Sequence, residues 1–131
     1  MDKQLLEVPI NERQVTAAVL MSMLGLTVHN AVEFGLDSFI KPEFGWLPVL
    51  ILEVALLILW VRKPSLRVAA SAALLMLGIL NLIVGWFEVI PFDFLPYDPE
   101  QSVSHYLVHA IYGALQIPLL WIIVQSLRQH D

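Results

Sequence analysis

Residues 68–90 read VAASAALLMLGILNLIVGWFEVI, and from Val68 through Phe87 this stretch carries no formal charge. About 20 predominantly apolar residues, rising about 1.5 Å each as a helix, cover the roughly 30 Å of a bilayer's hydrocarbon core. The run therefore reads as a spanning helix. Working outward, the same signature recurs three times. A first span covers residues 15–36 and is uncharged from Val15 to Val32; a second, 46–61, is short and holds one acid, Glu53; a fourth, 103–127, is free of Asp, Glu, Lys and Arg and is interrupted by Pro118. The whole chain, 1–131, reads as one transmembrane domain.

Composition agrees. Of 131 residues 58% are apolar and 15% charged, with a mean hydropathy of +0.73; soluble domains average about 45–50% and about 25%. A chain this short leaves roughly 30–40% of its surface exposed on folding, so water could not be kept from the excess. The expected fold is all-α: an integral membrane four-helix up-down bundle with short loops and antiparallel neighbours. The net charge of −5 argues against nucleic acid as a partner and against a polybasic membrane-surface protein. With no cysteine, disulfides, thiolate catalysis, iron–sulfur clusters and thiolate zinc sites are excluded. The N-terminus lacks the pattern of a cleavable signal, and the first span reads as retained.

Helix punctuation fits four elements. Asn11 with Gln14 forms a start signal for the first helix, Ser65 for the third, and Asp98-Pro99-Glu100-Gln101 for the fourth, while Lys63-Pro64 stops the second. Orientation follows from the bases. Arg62, Lys63 and Arg67 sit between spans two and three, and Arg13 and Arg128 flank the chain ends. Asp93, Asp98 and Glu100 occupy the third loop without a base, and the first loop holds Lys41 with Asp37 and Glu43. This asymmetry puts both termini in the cytoplasm. Trp46, Trp86 and Tyr97 then belong to the outer interface and Trp60 to the inner one.

Each span carries one polar stripe. In the fourth, His105, His109, Tyr112 and Gln116 recur at helical spacing. In the first, Ser22, His29 and Glu33 share a face, with Asp37 a turn beyond; in the third, Gly78, Asn81, Gly85 and Glu88 do so; the second offers Glu53. Lipid cannot hydrogen-bond to these groups, so the stripes must meet inside. Counted from the outer helix ends, His29, Glu53 and His109 fall roughly 10 Å deep with Asn81 slightly deeper, and Glu33, Glu88 and His105 about 3–5 Å deep. The sequence thus predicts two rings in the outer half of the bundle and a dry inner half.

Buried polar residues often do no more than fix helix register, at about 0.6 kcal/mol per interhelical bond. Ionisable groups inside spans more commonly mark function. A carboxyl in a low-dielectric pocket can hold a proton while a neighbour stays ionised, which suits acid–base work on an apolar molecule. The pattern H-N-A-V-E (His29 to Glu33), Glu53, R-K-P-S-L-R (Arg62 to Arg67) and W-F-E (ending at Glu88) resembles the EXPERA superfamily, which includes the sterol isomerases called emopamil-binding proteins and the sigma-2 receptor. The resemblance implies a four-helix membrane fold in which His29, Glu33 and Glu53 flank a sterol-like molecule and an acid protonates its double bond. His109, His105, Glu88, Asn81, Tyr112 and Gln116 would complete the binding surface.

Two other readings stand beside this one. His105/His109 and His29/Glu33 are i,i+4 pairs; with Glu53 and Glu88 they make a nitrogen/oxygen set for iron, zinc or copper. Haem clamped between His29 and His109, with Gly25 and Gly113 making room, is a variant of it. Alternatively, the chain is a non-catalytic accessory subunit whose stripes meet a membrane-protein partner, a second copy or a lipid headgroup. A pump or channel is disfavoured by the dry inner half. The sequence decides neither enzyme nor cofactor.

Overall fold

The computed structural model describes residues 9–41, 46–94, 96 and 98–129. Helix α1 spans Glu12–Phe34, α2 Trp46–Arg62, α3 Arg67–Phe87, α4 Val103–Ala114 and α5 Ile117–Arg128, with short 3-10 turns at Leu36–Ile40 and Pro64–Leu66. No strand occurs among the described residues. Tyr97 and Glu43 lie outside them.

The helix ends have local causes. Asn11 accepts from the backbone N–H of Gln14 while the Gln14 side chain accepts from that of Asn11, closing the predicted capping box. Gly35 ends α1 at φ +81°, a left-handed conformation that glycine adopts without strain; the helix therefore stops before the expected residue 36. Two start signals were misplaced. Ser65 does not cap α3, because Pro64–Leu66 forms a separate turn and α3 begins at Arg67. Helix α4 begins five residues after Asp98, capped by Ser102, whose Oγ accepts from the His105 N–H at 3.3 Å. Gln101 turns instead to the carbonyls of Val89 and Pro99, tying the loop to the end of α3.

The predicted fourth span divides into α4 and α5. Pro118 has no N–H to donate to Ala114, and the chain tightens there: the Gln116 N–H bonds to Gly113 O at 3.0 Å, before Leu120 resumes the helical pattern on Gln116 O.

The four rods form a ring in chain order, with α1 against α2, α2 against α3, α3 against α4–α5 and α4–α5 back against α1. Neighbours are antiparallel. Along α1 and α4–α5, Glu33 meets His105, His29 meets His109, Ser22 meets Gln116 and Ile10 meets Gln129. The last contact puts the start of α1 and the end of α5 at one end of the bundle. The α2–α3 turn lies there too, since Arg67 of α3 pairs with Glu12 of α1 at 3.6 Å. Arg13, Arg62, Lys63, Arg67 and Arg128 thus gather at a basic end, and Asp37, Glu88, Asp93, Asp98 and Glu100 at an acidic one.

The interior is divided the same way. Toward the basic end it is mainly apolar, built from Val15, Ala18, Val19, Trp60, Ala70, Leu74, Leu119 and Ile123, with Ser71 and Ser126 buried alongside. Toward the acidic end it holds Ser22, His29, Asn30, Glu53, Asn81, His109 and Gln116. The exterior is reversed: Leu20, Leu24, Ile51, Ile58, Met76, Ile79, Leu80, Ile83, Leu107 and Trp121 face outward. Helix α1, the Pro64–Phe87 segment and the Val103–Arg128 segment are long and apolar enough to cross a membrane. Helix α2, at 17 residues, sits at the lower edge of spanning length.

Candidate functional site

The polar stripes meet along the bundle axis in three layers, where depth counting from the helix ends gives two. The discrepancy lies with Glu53, which does not share a level with His29. Helix α2 starts at Trp46 beside Leu26, His29 and Asn30, so Glu53, two turns further on, reaches Ser22, two turns deeper on α1. Seven residues at about 1.5 Å each make this offset roughly 10 Å.

The deepest layer is a closed network. Ser22 Oγ lies 2.6 Å from Glu53 Oε1 and 2.6 Å from Gln116 Oε1. Gln116 Nε2 donates to the carbonyls of Ser22 and Tyr112 at 3.3 Å, which fixes Oε1 as the amide atom facing Ser22. An amide oxygen only accepts, so the single hydroxyl hydrogen of Ser22 goes to Gln116. With that hydrogen directed to Gln116, Ser22 Oγ is free to accept one from Glu53, so the arrangement suits a neutral Glu53. Asn81 Nδ2 donates to Glu53 Oε1 at 3.4 Å, and Tyr112 OH donates to Asn81 Oδ1 at 3.0 Å. Glu53 is fully buried, and its Oε2 has no hydrogen-bond partner.

The middle layer is a histidine pair. His109 Nδ1 lies 3.0 Å from Gly85 O, so it carries a hydrogen. With both rings neutral, His109 Nε2 accepts, and His29 Nε2 donates to it across 2.8 Å. His29 Nδ1 is left as a bare acceptor, buried and without a partner. The facing nitrogens of His29 and His109, named for the haem variant, stand 2.8 Å apart, in direct contact with each other. Gly25 and Gly113 instead admit protein, since a side-chain atom at Gly25 would lie 3.1 Å from Leu115 Cβ and one at Gly113 would run into Trp86.

The outer layer pairs His105 Nδ1 with Glu33 Oε2 at 2.8 Å. Glu100 joins them: the three residues offer ligand atoms within 4.8 Å of one another. Asp37 lies apart, exposed and bonded to Lys41 at 2.6 Å; that bond holds its carboxyl below the usual carboxylate range.

Two cavities open against these layers. One, of about 380 Å³, is lined by Leu26, His29, Asn30, Phe34, Trp46, Val49, Asn81, Val84, Glu88 and Tyr112. The other, of about 350 Å³, is lined by His29, Glu33, Phe34, Glu88, Asp98, Pro99, Glu100, His105 and His109. His29, Phe34 and Glu88 border both. Of the residues singled out from sequence, His29, Asn81, Tyr112 and Glu88 border the first cavity, and Glu33, His105 and His109 the second. Glu53 and Gln116 border neither, and Asn81 and Tyr112 stand between Glu53 and the first cavity.

Sequence reading missed Trp46, Asn30 and Glu100. Trp46 and Trp60, expected as interface anchors, are buried, and Trp60 donates to Ser71 Oγ at 3.0 Å. Asn30 directs its amide to Leu26 O within α1. Glu100 lies within the helix-start signal Asp98-Pro99-Glu100-Gln101, five residues before His105. No family model, no curated protein and no solved structure matches the chain.

Proposed function

We propose that this chain is a multi-pass integral membrane protein, both termini cytoplasmic, that binds a lipid-like molecule in the 380 Å³ cavity between α1, α2, α3 and α4. Insertion is supported by the inverted surface, with leucine, isoleucine, valine and methionine outside and histidine, glutamate, asparagine and glutamine within. Water would disfavour that distribution and hydrocarbon favours it. Orientation is supported by the basic end, which the positive-inside rule assigns to the cytoplasm.

The observation that carries the binding reading is the cavity's wall. Leu26, Phe34, Val49 and Val84 supply apolar contact, and two bordering residues keep buried polar atoms without partners: Trp46 Nε1, a donor, and His29 Nδ1, an acceptor. Buried polar atoms are ordinarily satisfied, so this pair suits a neutral head group that both donates and accepts, such as a hydroxyl. The volume is within the usual range of small-molecule pockets, about 300–1,000 Å³. Of the residues that the EXPERA resemblance names, His29 reaches this cavity, whereas Glu53 lies beneath Asn81 and Tyr112. The proposal is therefore one of binding, and it assigns Glu53 no contact with the ligand.

Lipid analysis of protein extracted in mild detergent tests this. An apolar molecule should be enriched over a detergent-matched control, and Val49→Trp, which fills the cavity, should remove it while the melting temperature holds. His29→Leu should weaken retention at least fivefold. No enrichment, or equal enrichment in Val49→Trp, would overturn the reading; co-purification of a stoichiometric protein partner in place of a lipid would favour the accessory-subunit reading.

A further inference from the structure

Glu33, at the last turn of α1, and His105, in the first turn of α4, face one another at 2.8 Å, and Glu100 closes a triangle of ligand atoms within 4.8 Å. From this geometry we propose that the three residues form a site for a divalent transition-metal ion at the acidic end of the bundle. Ligand atoms about 2.0–2.2 Å from one ion stand roughly 3 Å apart when adjacent, which is the spacing that His105 Nδ1 and Glu33 Oε2 already have. The third ligand is held in place by its neighbours: Gln101 is bonded to Val89 O at 3.1 Å, and Ser102 caps α4.

A second observation points to a cation. The adjoining 350 Å³ cavity is bordered by four carboxylate residues, Glu33, Glu88, Asp98 and Glu100, and no lysine or arginine is among its lining residues. Like charges gathered at a partly buried surface repel, and a bound cation relieves this. Two residues lining the same cavity keep a buried ring nitrogen without a partner: His29, only 6% exposed, at Nδ1, and His105 at Nε2. A set of one imidazole and two carboxylates suits zinc, manganese or iron(II), and the lack of a thiolate disfavours copper(I). Three protein ligands leave a coordination position open toward the cavity, as in metal sites that bind a further molecule.

Glu33, Glu100 and His105 do not border the lipid cavity, although His29, Phe34 and Glu88 border both cavities, so the test reads metal alone. Tag-free protein in detergent, stripped with chelator and dialysed, is titrated calorimetrically with Zn²⁺ and, separately, Mg²⁺. The site predicts one Zn²⁺ per chain, bound at least tenfold more tightly than Mg²⁺. Glu100→Gln, at an exposed loop position, should weaken Zn²⁺ at least tenfold with the melting temperature of the metal-free protein unchanged, and His105→Asn should abolish binding. Absence of Zn²⁺ uptake, equal affinity for Mg²⁺, or wild-type Zn²⁺ affinity in Glu100→Gln would overturn the proposal.

Discussion

Gly85→Val should destabilise the bundle by about 2–3 kcal/mol, the upper part of the range for overpacking a close contact. A side-chain carbon at Gly85 would stand 2.8 Å from the backbone N and 2.9 Å from the Cα of Gly113. Those are backbone atoms of α4, which no rotamer change can move, so α3 and α4 must separate. Separation would also stretch the His109–Gly85 and Tyr112–Asn81 bonds, both of which cross the same seam. Gly113→Ala makes the control. It would strike the indole of Trp86, which is 42% exposed and can swing outward. Its loss should be smaller, chiefly the Trp86 bond to Ala110 O. Detergent unfolding of the two variants checks the order, and a Gly85 variant as stable as wild type would show that α3 and α4 do not approach as described.

The second large effect is expected at Glu53. Glu53→Ala empties a fully buried position and strips partners from Ser22 and Asn81. The cavity and the unsatisfied donor together should cost about 3 kcal/mol. Glu53→Gln should stay within about 1 kcal/mol of wild type. Its amide N–H can replace the carboxyl hydrogen donated to Ser22. Asn81 can reverse its own amide in response, because the Tyr112 hydroxyl it meets serves as donor or acceptor. Near-equivalence of Glu and Gln, with Ala far below, is the signature of a neutral acid. Should Gln prove as damaging as Ala, the hydrogen assigned to the carboxyl is not there. Ligand retention by Glu53→Gln should also match wild type, since Glu53 does not border the cavity.

The architecture was readable because hydrophobic runs and polar stripes are local properties of each helix. His105, His109, Tyr112 and Gln116 declare a common face by spacing alone, and all four turn inward. What the spacing omits is the register between helices. Levelling His29 with Glu53 treats the outer ends of α1 and α2 as aligned. The chain instead passes through the 3-10 turn at Leu36–Ile40 and enters α2 beside Leu26, a displacement that no single-helix pattern encodes. The Glu100 contribution was hidden for a related reason. Asp98-Pro99-Glu100-Gln101 has the residues of a helix start, but Ser102 competes for the same role and prevails, freeing Glu100 to meet Glu33 and His105. Pro118 was visible as an interruption; that it would divide the span into two helices depended on the tightened bond from Gln116 to Gly113.

The lipid and metal proposals both require a bundle whose hydrophilic faces point inward within hydrocarbon. The chain has no cysteine, so a single introduced thiol is a unique attachment point for a spin label. The decisive measurement is the collision rate of labels at Leu24→Cys, Met76→Cys, Ile83→Cys and Leu107→Cys, in bilayers, with dissolved oxygen and with a water-soluble nickel complex. Oxygen should dominate at all four outward-facing positions, and nickel at a label on Asp98→Cys in the acidic loop. Nickel-dominated collisions at Leu24, Met76, Ile83 and Leu107 would place these faces in water and contradict the membrane-embedded bundle.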